Sequence, residues 1–177
     1  MSMRKLVFSL VSLGVLAVAS AYAADAPNLG KAITPQDIAP WDIAIMPDGT
    51  GLPAGSGTPR EGAPIFAQKC SACHGDEGKG GAATALLPGP PRANLDGGSK
   101  TIANFWPYST TLFDFIRRAM PYNAPHSLTD KEVYALTAYL LALNKVIGEN
   151  ETIDAETLPK VKMPNRDNFI IRFPERI

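Results

Sequence analysis

The segment Cys70-Ser71-Ala72-Cys73-His74 is the most informative part of the sequence, because it holds both cysteines of the 177-residue chain and one of its two histidines. The spacing places two thiols on one turn, where each can add to a vinyl group of a porphyrin. The adjacent histidine then reaches the iron from one face. C-x-x-C-H is the signature of covalent c-type haem attachment. The motif therefore predicts one haem c, attached through Cys70 and Cys73 and ligated by His74.

Two other chemistries use a C-x-x-C pair. A thioredoxin-type redox site follows a βαβ pattern, and the sequence before Cys70 has none. A zinc site needs further ligands, and after the motif only His126 and no second cysteine pair remains. Haem attachment is the interpretation that we prefer to both.

The composition limits the other classes of protein. The chain has 17 basic and 17 acidic residues, so its charge gives no indication of nucleic-acid binding. Two cysteines exclude a scaffold with several disulfides. With 15 glycines and 16 prolines, much of the chain is neither regular helix nor strand. A domain this rich in loops needs a covalent staple or a large cofactor to complete its core.

The first 23 residues have the three-part pattern of a secretory signal peptide. Arg4 and Lys5 precede an uncharged, mostly apolar run over residues 6–19, and Ala21-Tyr22-Ala23 offers small residues for cleavage. The run is shorter than the roughly 20 residues that a membrane helix needs. We expect cleavage near Ala23 and a periplasmic protein without a membrane span; the alternative is an uncleaved anchor.

The remaining chain divides into three parts. Residues 24–57 are rich in proline and glycine and predict an extended arm, although Trp41 and its apolar neighbours should dock on the domain or on a partner. Residues 58–148 carry the helical patterns and the C-x-x-C-H motif. Residues 149–177 are polar with three prolines and predict a second extended arm.

Three helices are predicted between residues 58 and 148. The first begins at the capping box Thr58–Glu61 and reaches about residue 72, with an awkward Pro64 inside it. The second is capped by Ser109 or Thr110 and continues through Arg118. The third begins at the capping box Thr129–Glu132 and continues to about Ile147, where Gly148 would stop it. The pattern predicts an all-α fold around a large group.

The iron needs a sixth ligand or an open face, and the candidates are His126, Met46, Met120 and Met163. Met120 is preferred because it follows a predicted helix and directly precedes Pro121, which fixes the local backbone. Methionine opposite histidine makes an electron-transfer centre of raised potential. His126 is the main rival, although an exposed loop histidine is its plainer interpretation.

Further residues are candidates for contact with the haem. One ring nitrogen of a haem histidine binds the iron, and the other usually donates its N–H to a backbone carbonyl, which Pro90 or Pro91 could offer. Arg92, Trp106 and Tyr108 could bind the haem propionates.

These residues resemble class I cytochromes c. The stretch from Gly62 through Phe66 to the motif looks like the family's first helix, and residues 136–140 look like its last. The resemblance implies an all-α cytochrome c domain over residues 58–148, with three main helices around one covalent haem and an extended arm at each end. It also implies that Gly62 lets Phe66 and Tyr139 pack where the two helices cross, and that Met120 is the axial methionine.

Several longer segments are similar to the cytochrome subunit of sulfite and sulfane dehydrogenases, the SoxD type. They are residues 33–43, 47–53, 105–108, 111–121 and 162–167. Some members of that family carry two haems, whereas the single motif here can hold one.

This similarity implies an electron-carrier subunit rather than an enzyme. A molybdenum subunit of the sulfite oxidase type would supply electrons, and another cytochrome c or an oxidase would receive them. Two alternatives stay open: a general periplasmic shuttle without a fixed partner, and a haem enzyme with an open sixth position.

Overall fold

The computed structural model describes residues 29–87, 100–170 and 172. The predicted signal peptide and the candidate residues Pro90, Pro91 and Arg92 lie outside the described residues. Within the described ranges, no helix is both long enough and apolar enough to cross a membrane.

The described residues fall into two compact units, which divide between Asp42 and Ile43. In the first unit, helix α1 (Pro35–Ile38) begins at a capping box between Thr34 and Asp37. Among the described residues of this unit, the large apolar side chains Leu29, Ile33, Ile38 and Trp41 are exposed.

The second unit is mostly helical, as predicted. Its elements are β1 (Ser56–Gly57), α2 (Pro59–Lys69), α3 (Ser71–His74), α4 (Ile102–Phe105), α5 (Ser109–Ala119), α6 (Asp130–Leu143) and β2 (Ile153–Asp154). Short 3₁₀ turns lie at Asp76–Gly78, Leu158–Lys160 and Arg166–Asn168. The two strands pair antiparallel, with Ser56 opposite Asp154. This pairing was not predicted, because two residues are too short for a visible alternating pattern.

Helix α2 begins where the sequence predicts and ends earlier. The Thr58 hydroxyl accepts a hydrogen bond from the Glu61 N–H, and the Glu61 carboxylate accepts one from the Thr58 N–H. Pro64 lies exposed inside the helix without ending it. The helix ends at Lys69, because Cys70 leaves the helical conformation and α3 follows as a separate turn.

The prediction that Gly148 stops the last helix is wrong. Helix α6 ends at Leu143, and Lys145 takes the left-handed conformation with φ 57°. The Lys145 N–H donates to the Ala142 carbonyl at 2.8 Å and the Val146 N–H to the Leu141 carbonyl at 2.9 Å. These two bonds form a Schellman motif and offset the cost of a positive φ in lysine.

The core lies between α2, α5 and α6, where Phe66, Phe113 and Tyr134 are buried. The described segment after α6 has only short elements, and it packs into this core through Ile153, Leu158 and Met163. On the N-terminal side Ile45 is buried in the same cluster. The core therefore includes residues beyond both predicted boundaries, at residues 58 and 148.

Candidate haem site

The C-x-x-C-H motif forms one tight turn at the end of α2. Cys70 caps α2, and its carbonyl accepts hydrogen bonds from the N–H groups of Cys73 at 3.1 Å and His74 at 3.0 Å. Both cysteines are free thiols, with Cys73 exposed and Cys70 half-buried. Two thiols presented from one turn are what attachment to a single porphyrin edge requires.

The surroundings of Cys70 favour a neutral thiol. Burial raises its pKa to about 11, and the positive charge of Lys69 opposes this only in part. Cys70 therefore presents a half-buried, uncharged thiol on this turn.

The histidine of the motif is oriented by a backbone carbonyl. His74 Nδ1 lies 3.0 Å from the carbonyl oxygen of Thr84. A carbonyl can only accept, so Nδ1 carries the proton and Nε2 keeps its lone pair for a metal. The expected partner was Pro90 or Pro91. The loop after His74 turns back sooner than expected, and Thr84 takes that position.

Backbone hydrogen bonds fold this loop over the motif. The Gly80 N–H donates to the His74 carbonyl, the Ala83 N–H to the Cys73 carbonyl and the Leu86 N–H to the Gly78 carbonyl, each at 2.8 Å. Gly75 has φ 75°, and a side chain there would overlap the Gly80 carbonyl oxygen. The glycines of this loop thus allow the close return that brings Thr84 to His74.

The helix that carries the motif crosses α6 at a glycine. A side-chain carbon on Gly62 would overlap the carbonyl oxygen of Ala135. The rings of Phe66 and Tyr139 pack beside this point with their centroids 5.4 Å apart. The crossing implied by the resemblance is confirmed.

Met120 stands at the C-cap of α5, where its N–H donates to the Ile116 carbonyl at 3.1 Å. Its side chain is partly buried against the hydrophobic core. This position agrees with the sequence expectation of a methionine just past a helix. Its role as an iron ligand stays a prediction.

The rival ligands have other surroundings. Met163 is 1% exposed and packs inside the hydrophobic core. Met46 is partly exposed, beside a turn in which its N–H donates to the Thr50 carbonyl. His126 is exposed in a loop at φ 61°. The choice of Met120 among these four residues stays a prediction.

Two of the three candidate propionate contacts lie in the described part of the chain. Trp106 is partly buried, and its ring meets that of Phe115 edge-on at 5.5 Å. The ring of Tyr108 is covered by the Arg166 guanidinium at 4.4 Å. Their contact with a haem stays a prediction.

Sequence reasoning missed two residues that shape the site. Thr84 acts through its backbone carbonyl, so no side-chain pattern could identify it. Asn144 is buried, and its amide Nδ2 donates to the carbonyls of Leu140 at 2.8 Å and Leu86 at 3.2 Å. An asparagine after a helical run signals a helix end, but its contact with a distant loop has no sequence signal.

Comparison with known proteins extends these observations. The family model named Cytochrome c matches residues 59–144, which include the motif and the three long helices. Among solved structures, a chain of the sulfane dehydrogenase SoxCD from Paracoccus pantotrophus is similar, with a TM-score of 0.73 and 34% identity. The match covers 85% of this chain and 75% of that chain. No curated protein matches.

Proposed function

The chain belongs to the class I c-type cytochromes, and on this premise we propose that it is a monohaem electron carrier of a sulfur-oxidising complex. Its haem c would be attached through Cys70 and Cys73. The observation that carries the proposal is the single turn that presents both thiols together with a histidine whose Nε2 is free. When bound, the haem supplies reversible one-electron chemistry between Fe(III) and Fe(II).

The chain's own residues set the properties of this centre. The Thr84 carbonyl fixes the orientation and tautomer of His74, and Nε2 of that ring would be the atom that holds the iron. Met120 would supply the sixth ligand, and its thioether would raise the potential because it stabilises Fe(II) relative to Fe(III). With His74 and Met120 both holding the iron, the centre would transfer electrons and leave no site for substrate. We therefore assign the chain a carrier role rather than an enzymatic one.

The proposed electron donor is a molybdenum-containing subunit of the sulfite oxidase type. The similarity to a chain of a sulfane dehydrogenase supports this, since it extends over 75% of that chain. Oxidation of sulfite or sulfane sulfur at the donor would release electrons one at a time to this cytochrome. The electrons would then pass to another cytochrome c or to an oxidase.

The proposed location rests on the sequence of the first 23 residues and on the proposed cofactor. Their charged, apolar and small-residue regions support export and cleavage near Ala23. Covalent haem attachment in bacteria takes place outside the cytoplasm, which agrees with export. We place the mature protein in the periplasm.

We propose that the first unit forms the surface that binds the partner. Trp41 is 84% exposed, and Ile33 and Ile38 near it are exposed as well. Buried aromatic anchors contribute much of the energy of protein interfaces. The C-terminal segment is a weaker candidate, because Asn165 is buried and donates to the Phe105 carbonyl at 2.8 Å within the same unit.

The experiment mixes the oxidised cytochrome anaerobically with candidate molybdenum subunits and either sulfite or a sulfane-sulfur substrate. We expect haem reduction, followed by its absorbance, to be faster with the cognate subunit than with substrate alone. Reduction no faster than in the absence of the subunit would remove the sulfur assignment and leave only the cytochrome. Ready binding of carbon monoxide by the reduced protein would contradict the filled sixth position and favour a haem enzyme.

A further inference from the structure

The residues that orient His74 belong to a short segment, residues 83–86, which we call the strap. Three of its backbone groups bond to the motif and the turn after it. The Ala83 N–H donates to the Cys73 carbonyl, the Thr84 carbonyl accepts from His74 Nδ1, and the Leu86 N–H donates to the Gly78 carbonyl. The strap therefore orients the His74 ring. A contact that fixes the position of the strap also fixes the orientation of this ring.

A buried asparagine ties the strap to the core helix. Asn144 is 6% exposed at the C-cap of α6, and its amide has two N–H groups. One donates to the Leu140 carbonyl of its own helix at 2.8 Å, and the other to the Leu86 carbonyl at 3.2 Å. Both donors of the side chain are thus used, and one of them leaves the helix for the strap.

One atom of the Asn144 side chain lowers the stability of the fold. Asn144 Oδ1 is buried and has no hydrogen-bond partner among the described residues. An unsatisfied buried acceptor lowers stability, so an exposed C-cap would serve the helix better. In return for this cost, the buried side chain of Asn144 makes a bond that an exposed helix cap would not make, from Nδ2 to the Leu86 carbonyl.

The strap needs an external tie because of the loop before it. Gly75, Gly78 and Gly80 have positive φ angles, and glycine adds no side chain to anchor the backbone. The Leu86 side chain packs partly against the core. Asn144 adds a directional bond from α6, a helix whose inner residues are fully buried.

We propose that Asn144 is a positioning residue that tunes the haem ligand through the strap. By holding the Leu86 carbonyl it keeps the Thr84 carbonyl at hydrogen-bond distance from His74 Nδ1. That bond makes the imidazole a more basic ligand and favours Fe(III). Without the tie the bond weakens, so the midpoint potential rises. The proposal rests on the proposed function of His74 as the iron ligand.

The test compares Asn144→Ala with a matched control, Tyr134→Phe, in the haem-loaded protein. Tyr134 is also on α6, and its hydroxyl donates to the Pro53 carbonyl of another loop at 2.8 Å. In N144A we expect a higher midpoint potential and roughly tenfold faster proton exchange at His74 Nδ1, followed by NMR of the reduced protein. Y134F should leave both readouts unchanged, and Asn144→Gln, which keeps the amide donor, should restore part of the difference.

Each result decides the proposal. If N144A lowers stability but leaves the potential and the Nδ1 exchange as in the wild type, Asn144 is only a helix cap and the proposal fails. If N144A does not take up haem, side-chain amide exchange in the wild type decides instead. If the side-chain amide protons of Asn144 exchange as fast as those of the exposed Asn123, the hydrogen bond from Asn144 to the Leu86 carbonyl is absent and the proposal fails. Failure of the proposed function is recognised separately, by a His74 ring without paramagnetic shifts in the oxidised wild type.

Discussion

Gly62 of α2 lies directly against the backbone of Ala135 in α6, and a side-chain carbon at position 62 would also approach Tyr139 Cβ to 2.7 Å. Because α2 leads into Cys70, this contact determines where the thiols stand relative to α6. The ring pair of Phe66 and Tyr139 fills the space beside the crossing. The absence of a side chain at Gly62 thus allows the close helix packing that places the candidate site.

We expect Gly62→Ala to destabilise the protein, because the added methyl group would overlap the Ala135 carbonyl oxygen. Overpacking of this kind costs about 1–3 kcal/mol, and a clash with backbone belongs at the upper end. Unfolding by urea, followed by circular dichroism, measures the loss. Gly148→Ala is the control, since the nearest atom to its new carbon is in the flexible Glu151 side chain, at 3.0 Å. Equal stability of the two variants would mean that the helices do not need glycine to cross.

The motif and the helix starts could be predicted from the sequence because they depend on local chemistry. Capping boxes at Thr58 and Thr129 join residues three apart, and the C-x-x-C-H turn spans five residues. The crossing at Gly62 came from family resemblance, which the ring pair of Phe66 and Tyr139 confirms. Local patterns and family resemblance thus located most of the fold and the centre of the site.

Contacts between distant segments could not be predicted in the same way. The burial of Met163 and the bond of the Thr84 carbonyl to His74 depend on where loops return, which composition does not encode. The end of α6 was misjudged because Lys145 adopts a conformation that usually needs glycine. In each case the tertiary structure overrode a local preference.

We expect Met120→Leu to change the haem ligation, because leucine keeps the volume and removes the sulfur. The methionine-to-iron charge-transfer band of the oxidised protein should disappear. The midpoint potential should fall, within the roughly 0.8 V range over which axial ligands set haem potentials. Visible spectroscopy and redox titration measure both.

The matched control for this substitution is Met163→Leu, in the hydrophobic core. It should keep the band and cost less than about 1.5 kcal/mol of stability, because the volume is conserved. A band that survives M120L and disappears in M163L would move the ligand role to the C-terminal segment.

We expect the protein to lose stability in acid in part through Glu132. Its carboxylate accepts a hydrogen bond from Lys69 Nζ and another from the Thr129 N–H, and these bonds lower its pKa below 4.5. A carboxyl group whose pKa is lower in the folded state stabilises the fold above the unfolded value of 4.5. This contribution disappears as the pH falls through the folded pKa.

Glu132→Gln should therefore cost about 1 kcal/mol at neutral pH and almost nothing at acidic pH, where Glu132 itself is protonated. Urea unfolding at several pH values between neutral and strongly acidic conditions measures this difference. The exposed Glu149→Gln is the control and should leave the pH profile unchanged. A constant difference between E132Q and the wild type at all pH values would contradict the assigned contribution.

We expect Trp41→Ala to weaken binding to the proposed molybdenum subunit while leaving the cytochrome folded. An aromatic anchor that becomes buried at an interface contributes about 2 kcal/mol, which corresponds to roughly a thirtyfold increase in Kd. Calorimetry with the cognate subunit measures Kd, and the haem spectrum shows that the site is intact. Ile170→Ala is the control, because this side chain is 93% exposed on the second unit and should not affect binding. Unchanged affinity in W41A would exclude the first unit as the surface that binds the partner, and a loss in I170A alone would move that role to the C-terminal segment.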